Sequence, residues 1–513
     1  MNLQVRTISK NRQLAINILA SYIALFVQMG ISFFLSPYIV RTVGVEAYGF
    51  VQFSYVLISY FAILSVALNS MSSRFIMVSC FRGDFIAANK YFASTFYANV
   101  ILGAIIFPVL AAAILNIAKI INVPAHLLVD VQFLMGFMAV NFVVDLLATN
   151  LGISYYVSNK LYLFSLVQVY GHILRAVLLI GFFTFFEPYV AYIGLITLII
   201  TIFTQSANIY WKRRLIPDLN INRKFFDLKK VKELISSGVW NSITRLGQIL
   251  QDGLDLLIAN LMLSATAMGI LAVAKIIPNV INMILHAMIS TFLPDMTELY
   301  AKQKYDELVK SAKRYMKITG MIINIPIALL IAFGDILYAL WFPTQDSGLL
   351  QLLSVITVLP WAIMGQTAII HNIFTIVNKI RVNSILVTIT GFLNVLLVLV
   401  LLKTTSLGLF AVAGVSSVLI IIRNLGYTLP FGALYLNRRW TTFFPETGKS
   451  VASVFVISAA GLFIKSFLQA YSWSGLFVVA IITVLLGLGF NFLIVFNKDD
   501  RIYIFDKIRA RMG

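Results

Sequence analysis

The chain has 513 residues, of which 60% are hydrophobic and 12% charged, with a mean hydropathy of +0.92 and a formal net charge of +19. Such a composition excludes an ordinary soluble enzyme or binding domain; it describes an all-α polytopic membrane protein with no room for a large soluble domain beside its spans. One cysteine, Cys80, excludes an intramolecular disulfide.

In chain order, fourteen apolar stretches are long enough to cross a bilayer, which takes about 20 residues each. They lie near 14–40, 50–73, 92–118, 127–150, 161–186, 188–211, 234–262, 266–293, 315–341, 349–377, 383–402, 407–436, 449–468 and 473–496. The basic start, MNLQVRTISKNRQ, precedes an apolar run too long for a signal-peptide core, with no small-residue cleavage site, so an uncleaved first helix is expected. Ser21, Gln28 and Ser32 share one face of that helix and read as helix–helix glue. After span one, Gly44-Val-Glu-Ala-Tyr-Gly-Phe50 aligns weakly with Ser264-Ala-Thr-Ala-Met-Gly-Ile270 after span seven, matching Ala47 to Ala267 and Gly49 to Gly269. The offset equals six spans and preserves orientation, as two parallel six-helix lobes would. The expected divisions are an N-lobe at 1–211, a basic linker at 212–233, a C-lobe at 234–436, and two added helices with a basic tail at 437–513.

In span five, Gln168, His172 and Arg175 step by 4 and 3 and form a polar stripe, with Asp145 of span four the natural carboxylate to pair with Arg175. The linker KRRLIPDLNINRKFFDLKKVKE sets Phe225, Phe226, Leu228 and Val231 among lysines and suggests a short amphipathic helix on the membrane surface. Span seven carries the strongest pattern: Asn241, Arg245, Gln248, Asp252 and Asp255 fall on one face if the helix is continuous. In span eight Lys275, Asn279, Asn282 and His286 repeat the spacing. With a turn near Ala265, Asp255 lies level with Lys275, and the two stand as a matched pair near the outer end. A charge deep in a membrane helix costs at least about 2.5–3.5 kcal/mol, so these groups must face protein or water. Farther on, Arg423 is deep and solitary, Lys465 is placed to snorkel at a helix end, and His371 and Asn372 read as packing.

With an inward N-terminus, 31 of the 39 Lys and Arg residues fall on the cytoplasmic side and only Arg41, Lys119 and Lys403 on the other. That split supports inward N- and C-termini, and it explains the net charge as a topology signal and an attraction for anionic membrane lipid, not nucleic acid. The chain contains no phosphate-binding Gly-Lys-Thr loop, metal spacing or Gly-x-Ser-x-Gly turn, so neither metal, cofactor nor enzyme activity is expected. The deep groups are mostly cationic: Arg175, Arg245 and Lys275, with His172 and His286 able to join them. Together with Gln248, Asn279 and Asn282 they are the candidate cavity residues for an anionic, phosphorylated substrate, since Arg pairs with phosphate oxygens in a two-pronged fork. Asp252 and Asp255 are the candidates for coupling or gating with H+ or Na+.

The stretch FFLSPYIVRTVGVEAYGFVQFSYVLISYF, through Arg41, Gly44, Tyr48 and Gly49, resembles the first hairpin of Wzx-type polysaccharide flippases. Spans seven and eight are similar to the same family through Asp255, Gly269, Lys275 and Pro278. These flippases belong to the multidrug/oligosaccharidyl-lipid/polysaccharide (MOP) exporter superfamily. The resemblance implies two six-helix lobes about a central cavity with alternating access. Its implied substrate is an undecaprenyl-diphosphate-linked oligosaccharide flipped across the bacterial cytoplasmic membrane, with a polysaccharide polymerase or other assembly proteins as partners. The rivals are a cation-coupled multidrug antiporter of the same fold, which wants acidic cavity residues, and a membrane polysaccharide polymerase, which wants a large outer loop that this chain lacks.

Overall fold

In a computed structural model, residues 10–377, 379–468 and 471–502 are described; Arg6, Lys507, Arg509 and Arg511, which contribute to the expected inward charge, lie outside them. Thirteen helical segments among the described residues are long and apolar enough to cross a membrane. The remaining expected span, the seventh, is helical but interrupted, as Leu228–Gln248, a π-helical segment Ile249–Gly253, and Asp255–Met262. The fold is therefore the expected all-α membrane architecture of about fourteen spans.

Local chemistry sets the helix ends. Val43 closes span one and Val45 opens span two, with only Gly44 between them at φ +89°, a conformation that costs glycine little. Asp84, Asp346 and Ser472 cap the helices that begin after them, accepting the backbone N–H of Ala87, Leu349 and Gly475 at 2.9, 3.0 and 3.2 Å. Pro37, Pro108, Pro294 and Pro326 lie inside helices, as membrane spans tolerate when neighbours re-satisfy the backbone.

The chain divides into two compact units, Met1–Ile249 with Ser264–Gly269, and Leu250–Leu263 with Ile270–Gly513. The division falls inside span seven and not at the basic segment 212–233.

In the first unit, span one packs on span five, span four on span six, and span two on both span three and the helix Leu228–Gln248. Gly238 of that helix lies against the backbone of Ala67, an approach only a residue without a side chain allows. The segment 212–233 forms no separate amphipathic helix, contrary to the sequence reading. Asn89 Nδ2 donates to Asp218 O at 2.9 Å, the Asp227 N–H donates to Ser94 Oγ at 2.9 Å, and Phe226 meets the edge of Tyr97. Span three thus holds the segment down, and its last lysines enter the helix Leu228–Gln248 directly.

The second unit is built around Tyr305–Trp341, which packs against spans eight, ten, thirteen and fourteen. Ion pairs fix the last two spans to it. Lys317 is buried and pairs with Asp500 at 2.7 Å and Glu446 at 3.4 Å, while Arg314 reaches Asp500 at 3.2 Å. Burial raises the Asp500 carboxyl, but the hydrogen bond and charge of Lys317, with help from Arg314, more than offset that and hold it below its ordinary value. Lys465 does not snorkel freely. It binds both carboxylate oxygens of Asp335, at 2.7 and 2.6 Å, because a carboxylate one helix away satisfies the ammonium better than a stretched side chain would.

Candidate functional site

The seventh and eighth spans place their polar residues through breaks in the helix. Ile249–Gly253 is π-helical, so the face shared by Asn241, Arg245 and Gln248 does not continue in register to Asp252 and Asp255. The continuous five-residue stripe expected from 3.6 spacing is thus two pieces. Widening the turn turns carbonyls outward, and Asn394 Nδ2 caps those of Leu250 and Gln251 at 3.3 and 2.8 Å. Span eight breaks at Lys275, between Ala265–Ala274 and Ile276–Ala301. Pro278 has no N–H for the carbonyl of Ala274 four residues earlier. Ser354 Oγ lies 2.7 Å from that carbonyl and is joined by Tyr338 OH at 2.6 Å.

These breaks bring Lys275 onto Asp255. Its Nζ ion-pairs with the Asp255 carboxylate and lies 3.3 Å from the backbone O of Asp252. Asp255 is 2% exposed, and its Oδ1 is buried with no hydrogen-bond partner, whereas Asp252 is exposed. Arg423 is not solitary. Its Nη1 donates to Gln251 Oε1 at 2.6 Å and lies 3.4 Å from Thr390 Oγ1. Asn424, next in sequence, accepts from Thr367 Oγ1 at 2.8 Å. Spans seven, ten, eleven and twelve thus share a buried polar centre in the second unit. Asn279 and His286 are exposed, Asn282 is half-buried with its Oδ1 unpartnered, and Asn372 donates to Ile289 O at 3.4 Å.

In the first unit Arg175 does not pair with Asp145. Its Nη2 donates to Tyr55 OH at 3.1 Å, and Tyr55 OH lies 3.3 Å from Thr197 Oγ1. Asp145 accepts instead from Gln205 at 3.1 Å and Asn141 at 3.3 Å, because it stands near the far end of its helix, out of reach of a mid-span guanidinium. His172 lies one turn before Arg175 and is half-buried. Asn241 donates to Ser70 Oγ at 3.1 Å. Arg245 and Gln248 are exposed and touch at 3.5 Å, and no carboxylate pairs with either Arg175 or Arg245 among the described residues.

Sequence reasoning missed Tyr55, Gln251 and Asn394. Gln251 sits beside Asp252 but off the stripe, Tyr55 is one of several polar residues scattered along its helix, and Asn394 stands within an apolar run, so periodicity offered no signal for them.

Residues 14–300 match the family model described as polysaccharide biosynthesis protein. The chain is 27% identical over 502 residues to the membrane protein EpsK of Bacillus subtilis strain 168, covering 97% of this chain and 98% of that one. Among solved structures it is similar to the lipid II flippase MurJ in an inward closed conformation, with a TM-score of 0.62 at 13% identity, covering 94% of this chain and 100% of that one. It is also similar to an inward-facing multidrug resistance MATE family transporter of the MOP superfamily, with a TM-score of 0.62 at 14% identity, covering 83% and 97%. At these identities the two structures speak for the fold.

Proposed function

The chain belongs to the polysaccharide biosynthesis protein family, and from that premise we propose that it is a flippase for an undecaprenyl-diphosphate-linked oligosaccharide. It moves this substrate by alternating access from the cytoplasmic to the outer leaflet of the bacterial cytoplasmic membrane, for surface polysaccharide synthesis. The observation that carries the reading is a charge imbalance. Arg175, Arg245, Lys275 and Arg423 all lie within spans, Lys275 is matched by Asp255 and Arg423 by the neutral Gln251, and neither Arg175 nor Arg245 has an acidic partner among the described residues. A guanidinium held in a membrane span without a counter-ion favours an anionic ligand, and a diphosphate suits its two-pronged donors. His172, Gln248, Asn279, Asn282 and His286 offer hydrogen bonds to hydrated sugars. Asp252 and the unpartnered Asp255 Oδ1 suit a coupling proton or sodium ion.

Depleting the protein should leave sugar-loaded polyprenyl diphosphate accumulating on the cytoplasmic face, measured by lipid extraction. Arg175→Ala and Arg245→Ala should each lower polymer export about 10- to 100-fold at normal membrane abundance, the worth of a charge-assisted hydrogen bond of about 1.5–3 kcal/mol. Arg→Lys should restore part of it. If both alanine variants export at the wild-type rate, the diphosphate binds elsewhere. Exposed Asp252 favours the rival multidrug antiporter. That reading wins if depletion sensitises cells to cationic drugs without lipid accumulation.

The orientation is tested separately. In a Cys80-free background, cysteine placed at the exposed Ser264, beside the turn near Ala265, should be labelled by an impermeant maleimide from outside, and cysteine at the exposed Arg223 should not. The reverse pattern would invert the 31-to-3 charge asymmetry's meaning.

A further inference from the structure

A cavity of about 740 Å³ opens within the first unit, where spans three, four and six meet the start of the basic segment. Its volume falls in the range of built ligand pockets, roughly 300–1,000 Å³. Phe96, Leu147, Leu151 and Ile209 form an apolar wall, and Lys212 and Arg213 lie at one end. Lys212 is 8% exposed. Its ammonium stands 5.8 Å from the centre of the Phe92 ring, and no carboxylate pairs with it among the described residues. Asp145, the acidic residue nearest in sequence to the cavity's span-four wall, is engaged with Gln205 and Asn141. Most of the Lys212 side chain is buried while its residue lines the open cavity, so an anion in that cavity gives the ammonium the counter-ion that the surrounding protein does not.

We infer that this cavity is a binding site for an anionic glycerophospholipid of the leaflet that faces the basic segment. The phosphodiester sits at Lys212 and Arg213, and an acyl chain lies along Phe96, Leu147 and Ile209. Ile209 is 39% exposed, so the apolar end is open to a chain entering from the side. The two cations come directly after the apolar part of span six, at the depth of headgroups and not of the hydrocarbon centre. Two adjacent cations, one of them also facing solvent, match a singly charged phosphodiester better than a diphosphate. The site is separate from the mid-span arginines, so the inference does not depend on what the protein transports.

The test is native mass spectrometry of the full-length protein in detergent, titrated with dioleoyl phosphatidylglycerol or dioleoyl phosphatidylcholine. The wild type should hold phosphatidylglycerol at least about tenfold more tightly, the scale of one charge-assisted contact. Lys212→Met, which keeps the length and apolar stem, should erase that preference, while Lys224→Met, in the same basic segment, should leave it unchanged. Ile209→Trp, at the exposed rim, should weaken both lipids by blocking the chain. Equal preference in wild type and Lys212→Met would overturn the inference. So would competition by inorganic phosphate or glycerol 3-phosphate as strong as that of the lipid, which would mark a soluble-anion site. Displacement by undecaprenyl phosphate at lower concentration than phosphatidylglycerol would overturn it too, by assigning the cavity to polyprenyl lipids.

Discussion

Lys275→Ala should strip the protein of most of its membrane abundance and all of its transport. Asp255 is almost fully buried, Lys275 is its ion-pair partner, and its other oxygen has no hydrogen bond to fall back on. Removing the lysine leaves a carboxylate in low dielectric with nothing opposite it, which typically costs about 3–5 kcal/mol, a large share of a fold whose whole stability is of order 5–15 kcal/mol. Asp255→Ala should fail for the mirror reason, less severely, because the Lys275 side chain is more exposed than that of Asp255. The neutral double variant Asp255→Asn with Lys275→Met removes both charges and should recover abundance. Its transport then separates two roles. Recovery of export as well makes the pair a lock between helices; abundance without export makes Asp255 a carrier of the coupling ion. Wild-type abundance and thermal stability for Lys275→Ala would sink the premise that the pair supports the fold.

The span count, the helix class and the residues worth watching were legible in the sequence, because membrane helices must be long, apolar and sparing with charge. The neighbours of those residues were less legible. A helical wheel assumes one unbroken ladder of hydrogen bonds. The π-helical turn at Ile249–Gly253 adds about one residue, rotating the residues beyond it by roughly 100°. The register from Asn241 to Gln248 survives this and the register to Asp255 does not. Asp255 and Lys275 could still be matched because they stand at similar distances from the turn near Ala265, a relation of depth and not of phase. Arg423 looked solitary because its acceptor, Gln251, lies within that π-helical segment. Arg175 looked destined for Asp145 because a carboxylate is the obvious partner. A tyrosine hydroxyl accepts from it instead, and tyrosines are too common among the 22 in this chain to single one out. The weak repeat acquires a physical meaning that two identities alone did not give it. Gly49 and Gly269, its matched glycines, pack directly against each other, and Thr266 donates a hydrogen bond to the carboxylate of Glu46.

That contact sets up the second large effect: Gly269→Val should leave little correctly assembled protein in the membrane. A Cβ on Gly269 would run into the carbonyl of Val45, with that carbonyl's carbon at 2.7 Å, and a Cβ on Gly49 would stand 2.8 Å from the Cα of Gly269. Both obstacles are backbone, so no side chain can rotate away and the two helix starts must part. Overpacking a well-filled core costs about 1–3 kcal/mol when side chains can yield; here the cost should reach or exceed the upper end, because parting the helices also strains the Thr266–Glu46 hydrogen bond. Gly238→Val should behave alike, since its Cβ would meet the carbonyl of Ala67. Gly30 and Gly136 provide the control. A Cβ at either has nothing within 4 Å, and alanine there should be neutral or slightly stabilising through its higher helix propensity. Fluorescence-detected size exclusion of tagged protein reads all four variants. Monodisperse Gly269→Val at wild-type yield would mean that the helix starts separate freely, and close glycine packing would then not be what joins the two halves of the repeat.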